Sequence, residues 1–374
     1  MRLINVHTFK QADQFEDNRI PPYAILSHRW GKAEVSYQDF LKTTKDTFNT
    51  GFGKIAHACA QARKIGLDWI WIDTCCIDRT SSHELSTSIN SMFRWYRDAQ
   101  ICFAYLGDVN TVKTEDKVDD QILNSEWFTR GWTLQEMLAS RDMEFFDANW
   151  ASLGSRSQLS AVISRATRIS PEHLEDFCVA SVAQKMSWMA GRSTTEDEDM
   201  AYCMLGIFDL NMDLRYGEGK KAFIRLQEMI ISSIPDESVF AWRSDKMKSS
   251  GLLAPWPDCF RNSGNIVLRA DKNSEPREAY QMTARGLRFP ASMTERESFS
   301  TLSLNCWRIQ EKKSMAVVLL LSNTGGYWKR IRCDKLAWRP SVKMYTRVNK
   351  FIAIAPQIYI PQRNVVTHRL IDGH

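Results

Sequence analysis

Three short apolar runs in the first 110 residues each end at a cluster of polar residues. The runs are residues 23–27 (YAILS), 67–72 (LDWIWI) and 101–106 (ICFAYL), and they are followed by HRWG, DTCC and GD. Between them, residues 54–65 and 84–99 carry apolar side chains at helical spacing. This order predicts an α/β domain with a parallel sheet, because strands that lack polar alternation are typical of sheets covered on both faces.

The polar clusters are expected to meet at one edge of this sheet. Right-handed crossovers bring the carboxyl ends of parallel strands together, and open α/β sheets bind their ligands there. His28 and Asp73, which follow the first two runs, should therefore line a common crevice with the residues that follow Leu106.

The helix after the second run has a predicted start and a predicted buried face. Ser81 and Glu84 have the spacing of a capping box, in which each side chain accepts a hydrogen bond from a free amide of the first turn. The predicted core face consists of Leu85, Ile89, Met92, Phe93 and Tyr96.

Residues 127–138 (WFTRGWTLQEML) predict a further helix. Trp132 and Glu136 are four residues apart and share one face, whereas Leu134 and Met137 point another way. We expect the indole and the acid to be presented together, either at the ligand edge or to solvent.

Several segments resemble successive motifs of the fungal heterokaryon-incompatibility (HET) domain. They are residues 22–31 (PYAILSHRWG), 71–78 (WIDTCCID), 81–90 (SSHELSTSIN) and 130–136 (RGWTLQE). Residues 181–188, 194–209 and 216–228 are similar to the region that follows this domain in incompatibility proteins with a nucleotide-binding oligomerisation module and repeats. No GxxxxGK[ST] phosphate loop occurs in the sequence.

The resemblance implies a fold and an activity. HET domains are similar to TIR (Toll/interleukin-1 receptor) domains, which implies a TIR-like, flavodoxin-like parallel sheet with flanking helices. Enzymatic TIR domains cleave nicotinamide from NAD with an acid in a Trp-Cys-x-x-Glu motif. The matching Trp-x-x-x-Glu gives Glu136 the catalytic role, with Thr133 in place of the cysteine. NAD would be the substrate, and no cofactor or metal is expected.

This chemistry needs one carboxylate near the ribose, because the transition state resembles an oxocarbenium ion and nicotinamide leaves as a neutral molecule. We expect His28 and Trp132 to line the binding site. Arg29 can meet a phosphate, and Trp30 can stack on a base or pack in the core. Asp73 can bond a ribose hydroxyl or cap a turn.

Cys76 is expected beside the ligand as a packing residue at the strand end. An alternative is a thiol-dependent hydrolase in which a cysteine of the Cys75-Cys76 pair is activated by His28 or His57. Nine cysteines without a paired framework indicate reduced thiols and a cytoplasmic protein. The longest aliphatic stretch, residues 315–321, is too short to span a membrane, and the amino terminus has no signal-peptide pattern.

We predict three units: a HET domain over residues 1–152, a helical extension over 153–242 and a β-rich domain over 243–374. Helices are predicted at residues 158–168, 182–190, 196–208 and 220–233, and strands at 264–268, 315–321 and 351–355. Thr195 and Glu198 repeat the capping-box spacing. The acidic residues 196–199 suit a helix N-terminus better than a metal site.

The last predicted unit is basic, with 23 Lys and Arg against 10 Asp and Glu, whereas residues 1–242 hold 26 against 34. Docking of the basic unit on the acidic part of the same chain explains this charge asymmetry without a partner. The alternatives are attraction to anionic lipid or RNA, or a difference in surface charge without a function. The basic residues are scattered, which disfavours specific nucleic-acid binding.

The predicted function is programmed cell death after non-self recognition, by NAD glycohydrolysis. The alternative is a non-enzymatic signalling module that kills through assembly. Self-association is expected, because TIR enzymes complete their pockets with a neighbouring copy, and NLR-type incompatibility proteins are expected partners.

Overall fold

The amino-terminal part of the chain is built on a six-stranded sheet. The computed structural model describes residues 1–12, 15–16, 19–31, 33–42, 50–112, 117–268, 281–283, 286–295, 298–310, 313–324, 327–340 and 349–354. The strands are β1 (Ile4–Asn5), β2 (Ala24–His28), β3 (Trp69–Trp71), β4 (Ile101–Tyr105), β5 (Met143–Phe146) and β6 (Ser152–Ser155).

The sheet order is β1-β3-β2-β4-β5-β6, so the three predicted strands are confirmed. The central strands β3, β2, β4 and β5 are parallel, and β2 lies between the two strands that follow it in the chain. The sheet is mixed rather than wholly parallel, because β1 and β6 pair antiparallel at its two edges. Every residue of β2 is buried, as expected for a strand covered on both faces.

Helices cover this sheet. They are α1 (Tyr37–Lys42), α2 (Thr50–Lys64), α3 (Asp73–Cys76), α4 (Ser82–Asp98), α5 (Val118–Leu123) and α6 (Trp132–Ala139). Helix α4 buries Ile89, Met92 and Tyr96 as predicted, and also Trp95, which the prediction omitted. Leu85 and Phe93 are half-buried against the same core.

Only half of the predicted capping box forms at α4. The Ser81 hydroxyl accepts a hydrogen bond from the Glu84 amide at 3.3 Å. The Glu84 carboxylate does not return to Ser81, because it accepts from the Asp78 amide and pairs with Arg2.

The polar cluster after Leu106 does not join the other two, contrary to the prediction. Leu106 is buried, and the Asp108 carboxylate accepts hydrogen bonds from the Ser125 hydroxyl and the Glu126 amide, each at 2.7 Å. Asp108 therefore fixes the start of the 3₁₀ segment Glu126–Thr129, which precedes α6.

The next region is helical: α7 (Ser160–Thr167), α8 (Pro171–Glu175), α9 (Val182–Met189), α10 (Asp199–Tyr202) and α11 (Lys221–Ser233). The predicted helix over 196–208 is broken, because only α10 and the 3₁₀ turn Gly206–Phe208 form there. The Glu198 side chain does not cap α10; its Oε1 atom accepts from the amides of Gly217 and Gly219 at 2.7 Å each.

The remaining described residues form a nine-stranded, mostly antiparallel sheet. Its strands are β7 (Ser249–Ser250), β8 (Ile266–Leu268), β9 (Gln281–Thr283), β10 (Gly286–Glu295), β11 (Ser300–Gln310), β12 (Lys313–Thr324), β13 (Tyr327–Ile331), β14 (Ala337–Pro340) and β15 (Asn349–Ile354). The predicted strand at 315–321 lies within β12, and the one at 264–268 begins two residues before β8. The one at 351–355 overlaps β15, and Ala355 falls outside the described residues.

The carboxyl-terminal sheet packs against the end of the helical region. The buried Arg330 guanidinium lies 4.1 Å from the ring centre of Trp242 and donates hydrogen bonds to the carbonyl oxygens of Phe240 and Trp242. All nine cysteines are free thiols, and eight of them are buried. Within the described part of the chain, no helix is both long and apolar enough to cross a membrane.

Candidate functional site

A cavity of about 520 Å³ lies between the carboxyl ends of β2 and β3, helices α4 and α6, and the helical region. Its size falls within the range of small-molecule sites. It is lined by His28, Trp30, Asp73, Ile77, Arg79, Leu85, Ile89, Met92, Arg130, Trp132, Thr133, Glu136, Thr195, Glu196, Asp199 and Tyr216. Five of the seven predicted site residues are therefore together: His28, Trp30, Asp73, Trp132 and Glu136.

Glu136 is buried in the cavity wall, with 6% of its surface exposed, and does not stand at a solvent edge. Burial raises the pKa of Glu136 to about 8, and the charge of Asp73 acts in the same direction. A hydrogen bond from the Ser27 hydroxyl to Oε2 opposes the shift. Ser27 is itself held by Trp127, whose Nε1 donates to the hydroxyl at 3.0 Å. The last strand residue before His28 thus fixes the acid.

His28 ends strand β2, and its side chain is fully buried. Its Nε2 atom lies 3.6 Å from Oε2 of Glu34 and 3.9 Å from Oδ1 of Asp73. Burial favours the neutral form of Glu34, but its contacts with His28, the Gly31 amide and Lys54 outweigh this and lower its pKa to about 2. An ionised carboxylate therefore stands beside the imidazole.

Trp30 and Asp73 form one contact at the rim of the cavity. Trp30 Nε1 donates to Oδ2 of Asp73 at 2.8 Å, and the Trp30 side chain is 38% exposed, so it is not a core residue. The guanidinium of Arg79 lies 4.0 Å from the Trp30 ring centre and covers one ring face. A base that stacks on Trp30 would use the other face or displace Arg79.

Arg29 and Cys76 do not line the cavity. Arg29 is exposed and pairs with Glu126. Cys76 is buried, and its Sγ accepts from the Ile72 amide at 3.4 Å, so its thiol packs behind Asp73. Burial also raises the pKa of the neighbouring Cys75 thiol, which disfavours the thiolate that a nucleophile requires.

One wall of the cavity comes from the helical region and was missed in the sequence. The Asp199 carboxylate accepts from Trp132 Nε1 at 3.1 Å and from the Tyr216 hydroxyl at 2.9 Å. Burial raises the pKa of Asp199, although these two hydrogen bonds favour its ionised form. The acidic run at 196–199 was a visible signal, but no periodicity shows that it faces α6.

The two regions are also joined through the backbone. Ser193 accepts from the Gly131 amide and donates to the Thr129 carbonyl, at 2.8 Å each. The buried Arg192 donates to the Arg130 carbonyl at 2.8 Å and to Thr133 Oγ1 at 3.2 Å. The start of α6 is thereby held against the helical region.

The cavity combines acids, cations and apolar surface. Four carboxyl groups face two guanidinium groups: Asp73, Glu136, Glu196 and Asp199 against Arg79 and Arg130. Such a lining suits a ligand that has hydroxyl groups and a delocalised positive charge as well as an anionic part. Among the described residues, no group of three or more His, Cys, Asp or Glu is placed to hold a metal ion.

These features define an α/β domain with a ligand-sized cavity at the carboxyl ends of its strands. Residues 23–117 match the family Heterokaryon incompatibility protein (HET), and residues 221–279 match Domain of unknown function (DUF8212). The predicted resemblance to the HET domain is therefore confirmed for residues 23–117.

A curated relative supports the same assignment. The chain is 48% identical over 221 residues to Vegetative incompatibility protein HET-E-1 of Podospora anserina. This similarity covers 57% of the chain but only 16% of the relative's length. No solved structure is significantly similar to the chain.

Proposed function

We propose that this HET-domain protein hydrolyses NAD to nicotinamide and ADP-ribose and thereby triggers cell death, with Glu136 as the catalytic carboxylate. The observation that carries the proposal is the convergence of Glu136, Trp30 and Asp73 on one cavity. A signalling module that acts only through its surface does not need a buried acid in a nucleotide-sized crevice. The strand order, with β2 between β3 and β4, supports a TIR-like arrangement.

The charge of the ligand fits the state of the acid. A carboxyl with a pKa of about 8 is mostly protonated at neutral pH, and a bound pyridinium favours its carboxylate form. The carboxylate then stabilises the positive charge that moves onto the ribose as the C–N bond breaks. The bonding electrons leave with neutral nicotinamide, so no leaving-group acid is required.

The remaining lining residues can bind the rest of the dinucleotide. Asp73 offers a carboxylate oxygen to ribose hydroxyls, Asp199 offers its negative charge to the pyridinium ring, and Trp30 and Trp132 offer ring surface. Arg79 is exposed and Arg130 half-exposed, which suits contacts with the diphosphate.

The relative's name supports a role in vegetative incompatibility. We extend this role to killing in the cytoplasm, where the free thiols of the chain would remain reduced. NLR-type incompatibility proteins are the partners we propose, and assembly of several copies would bring their cavities together.

The test is the loss of NAD and the appearance of nicotinamide and ADP-ribose with the purified, concentrated protein. Glu136→Gln keeps the shape of the side chain and should abolish both cleavage and killing at matched protein level. Glu172→Gln, an exposed glutamate on α8, is the matched control and should leave both unchanged. Killing by wild type without any NAD loss, and equally by Glu136→Gln, would favour the signalling module instead.

A further inference from the structure

His28 is a buried polar side chain without a hydrogen-bond partner. Its side chain has no exposed surface and lines the cavity, yet among the described protein atoms neither Nδ1 nor Nε2 has a hydrogen-bond partner. Buried polar groups are nearly always paired, because an unpaired one loses its hydration without compensation. An exception at a cavity wall points to a group that pairs with a ligand.

The surroundings of His28 place a second unpaired atom beside it. Oδ1 of Asp73 also has no hydrogen-bond partner among the described atoms, and it lies 3.9 Å from Nε2. That distance is too long for a direct hydrogen bond, but a hydroxyl about 2.8 Å from each atom can bridge them. The other Asp73 oxygen is occupied by Trp30.

The carboxylate of Glu34 stands beside the same nitrogen. It lies 3.6 Å from Nε2 and does not line the cavity. Burial favours its neutral form, but its contacts with His28, the Gly31 amide and Lys54 outweigh burial and keep it ionised. From the sheet, Tyr105 on β4 pairs with His28 in register. A carboxylate that orients an imidazole and stabilises its protonated form is the usual support of a histidine base.

We infer that His28 is the base that accepts the proton of the attacking water in NAD hydrolysis, with Asp73 holding that water. This inference rests on the proposed function. After nicotinamide has left, the water oxygen forms a bond to the anomeric carbon of the ribose, and one O–H bond breaks. Its proton goes to His28 and later to solvent, so that NAD and water give nicotinamide, ADP-ribose and one proton.

His28 and Glu136 act in different steps of the proposed reaction, so the two roles can be tested separately. Glu136 serves the cleavage of the C–N bond, which every reaction of bound NAD requires. His28 serves only a nucleophile that must lose a proton. A pyridine base attacks through its ring nitrogen and loses none, so exchange of the nicotinamide for another pyridine needs Glu136 but not His28.

The experiment follows hydrolysis and base exchange in one mixture that contains NAD and a pyridine base. For His28→Gln, hydrolysis should fall at least about 100-fold while exchange changes less than about threefold. Because both products form in one sample, their ratio does not depend on the amount of folded protein. His83→Gln, at an exposed position in the first turn of α4 and outside the cavity, is the control and should keep the wild-type ratio.

The other outcomes separate the inference from the function on which it rests. Equal losses of hydrolysis and exchange, or no loss of either, would overturn the role of His28 while NAD cleavage by wild type stands. A wild type that performs neither reaction would refute the proposed function itself. If His28→Gln does not fold, His28→Asn and the wild type in D₂O serve as the test. In D₂O the wild type should hydrolyse NAD more slowly than in H₂O, whereas its rate of base exchange should not change. Hydrolysis at the same rate in D₂O and H₂O would overturn the inference.

Discussion

The hydroxyl of Ser27 donates a hydrogen bond to the carboxyl group of Glu136, which follows it by 109 residues in the chain. The contact joins the carboxyl end of β2 to the middle of α6. It also opposes the effect of burial on the pKa of Glu136. Burial raises the pKa of the acid, and a strand residue that does not line the cavity limits that rise.

Ser27→Ala should raise the pKa of Glu136 further, because the carboxylate loses its donor. If the ionised acid is the active form, kcat/KM for NAD rises with pH through the Glu136 pKa, about 8 in the wild type. The variant's profile should be displaced to higher pH, with comparable rates at the alkaline limit. A profile that coincides with that of the wild type would contradict the role of this hydrogen bond.

Glu136 should also make stability depend on pH. Its folded pKa of about 8 lies above the ordinary glutamate value of 4.5, so its contribution to stability is fully present below pH 4.5 and is lost as the pH rises through about 8. Glu136→Gln removes this term. The melting temperature of Glu136→Gln, relative to that of the wild type, should therefore increase from pH 5 to pH 9. For Glu172→Gln this difference should not change with pH.

Asp199 should distinguish charged from neutral ligands. Asp199→Asn can still accept from Trp132 and can donate to the Tyr216 hydroxyl, so the wall should keep its shape while losing its charge. We expect affinity for NAD to fall about tenfold, since bonds to charged groups contribute about 1.5–3 kcal/mol. Binding of NADH, whose nicotinamide ring is uncharged, should fall less. Equal losses in calorimetric titrations would speak against a contact with the pyridinium.

Substitution by alanine should change the free energy of unfolding in opposite directions at two glycines, Gly206 and Gly53. A Cβ at Gly206 would overlap the Phe93 side chain where the helical region meets α4, so Gly206→Ala should destabilise the protein by about 1–3 kcal/mol or more. A Cβ at Gly53, within α2, would meet nothing within 4 Å. Gly53→Ala should stabilise it by about 0.5–1 kcal/mol. Chemical denaturation measures both.

Activity per molecule should rise with protein concentration. A single acid in a cavity with an exposed rim leaves room for a neighbouring copy, which is how the enzymatic TIR domains of the proposed analogy complete their pockets. Forced dimerisation should raise the rate further. A constant specific activity over a wide dilution series, with a monomer in light scattering throughout, would exclude this requirement.

The sequence predicted those parts of the site that depend on the order of strands and helices. His28 and Asp73 follow apolar runs directly, so the rule for parallel strands places them at one edge. Trp132 and Glu136 share a helix face because of their spacing. Local patterns of this kind do not depend on distant residues.

What the sequence did not reveal depends on contacts between distant segments. Glu84 and Glu198 both had capping-box spacing, but each carboxylate bonds elsewhere, since Arg2 and the amides of Gly217 and Gly219 compete for them. Glu136 was expected at the ligand edge or facing solvent, and it lines the cavity together with Asp199 from the helical region. No periodicity reports which loop folds over which helix.

The backbone hydrogen bonds that join Ser193 to the start of α6 have a consequence for how the site is inherited. The family match ends at residue 117, before Glu136 and well before the wall at Asp199 and Tyr216. A gene exchange with its breakpoint just after the matched segment would pass on strands β1–β4 and part of the cavity lining, but not Glu136, Asp199 or Tyr216. Only a fragment that extends through the Gly217–Gly219 turn carries the whole pocket, so the heritable unit is larger than the motif by which it is recognised.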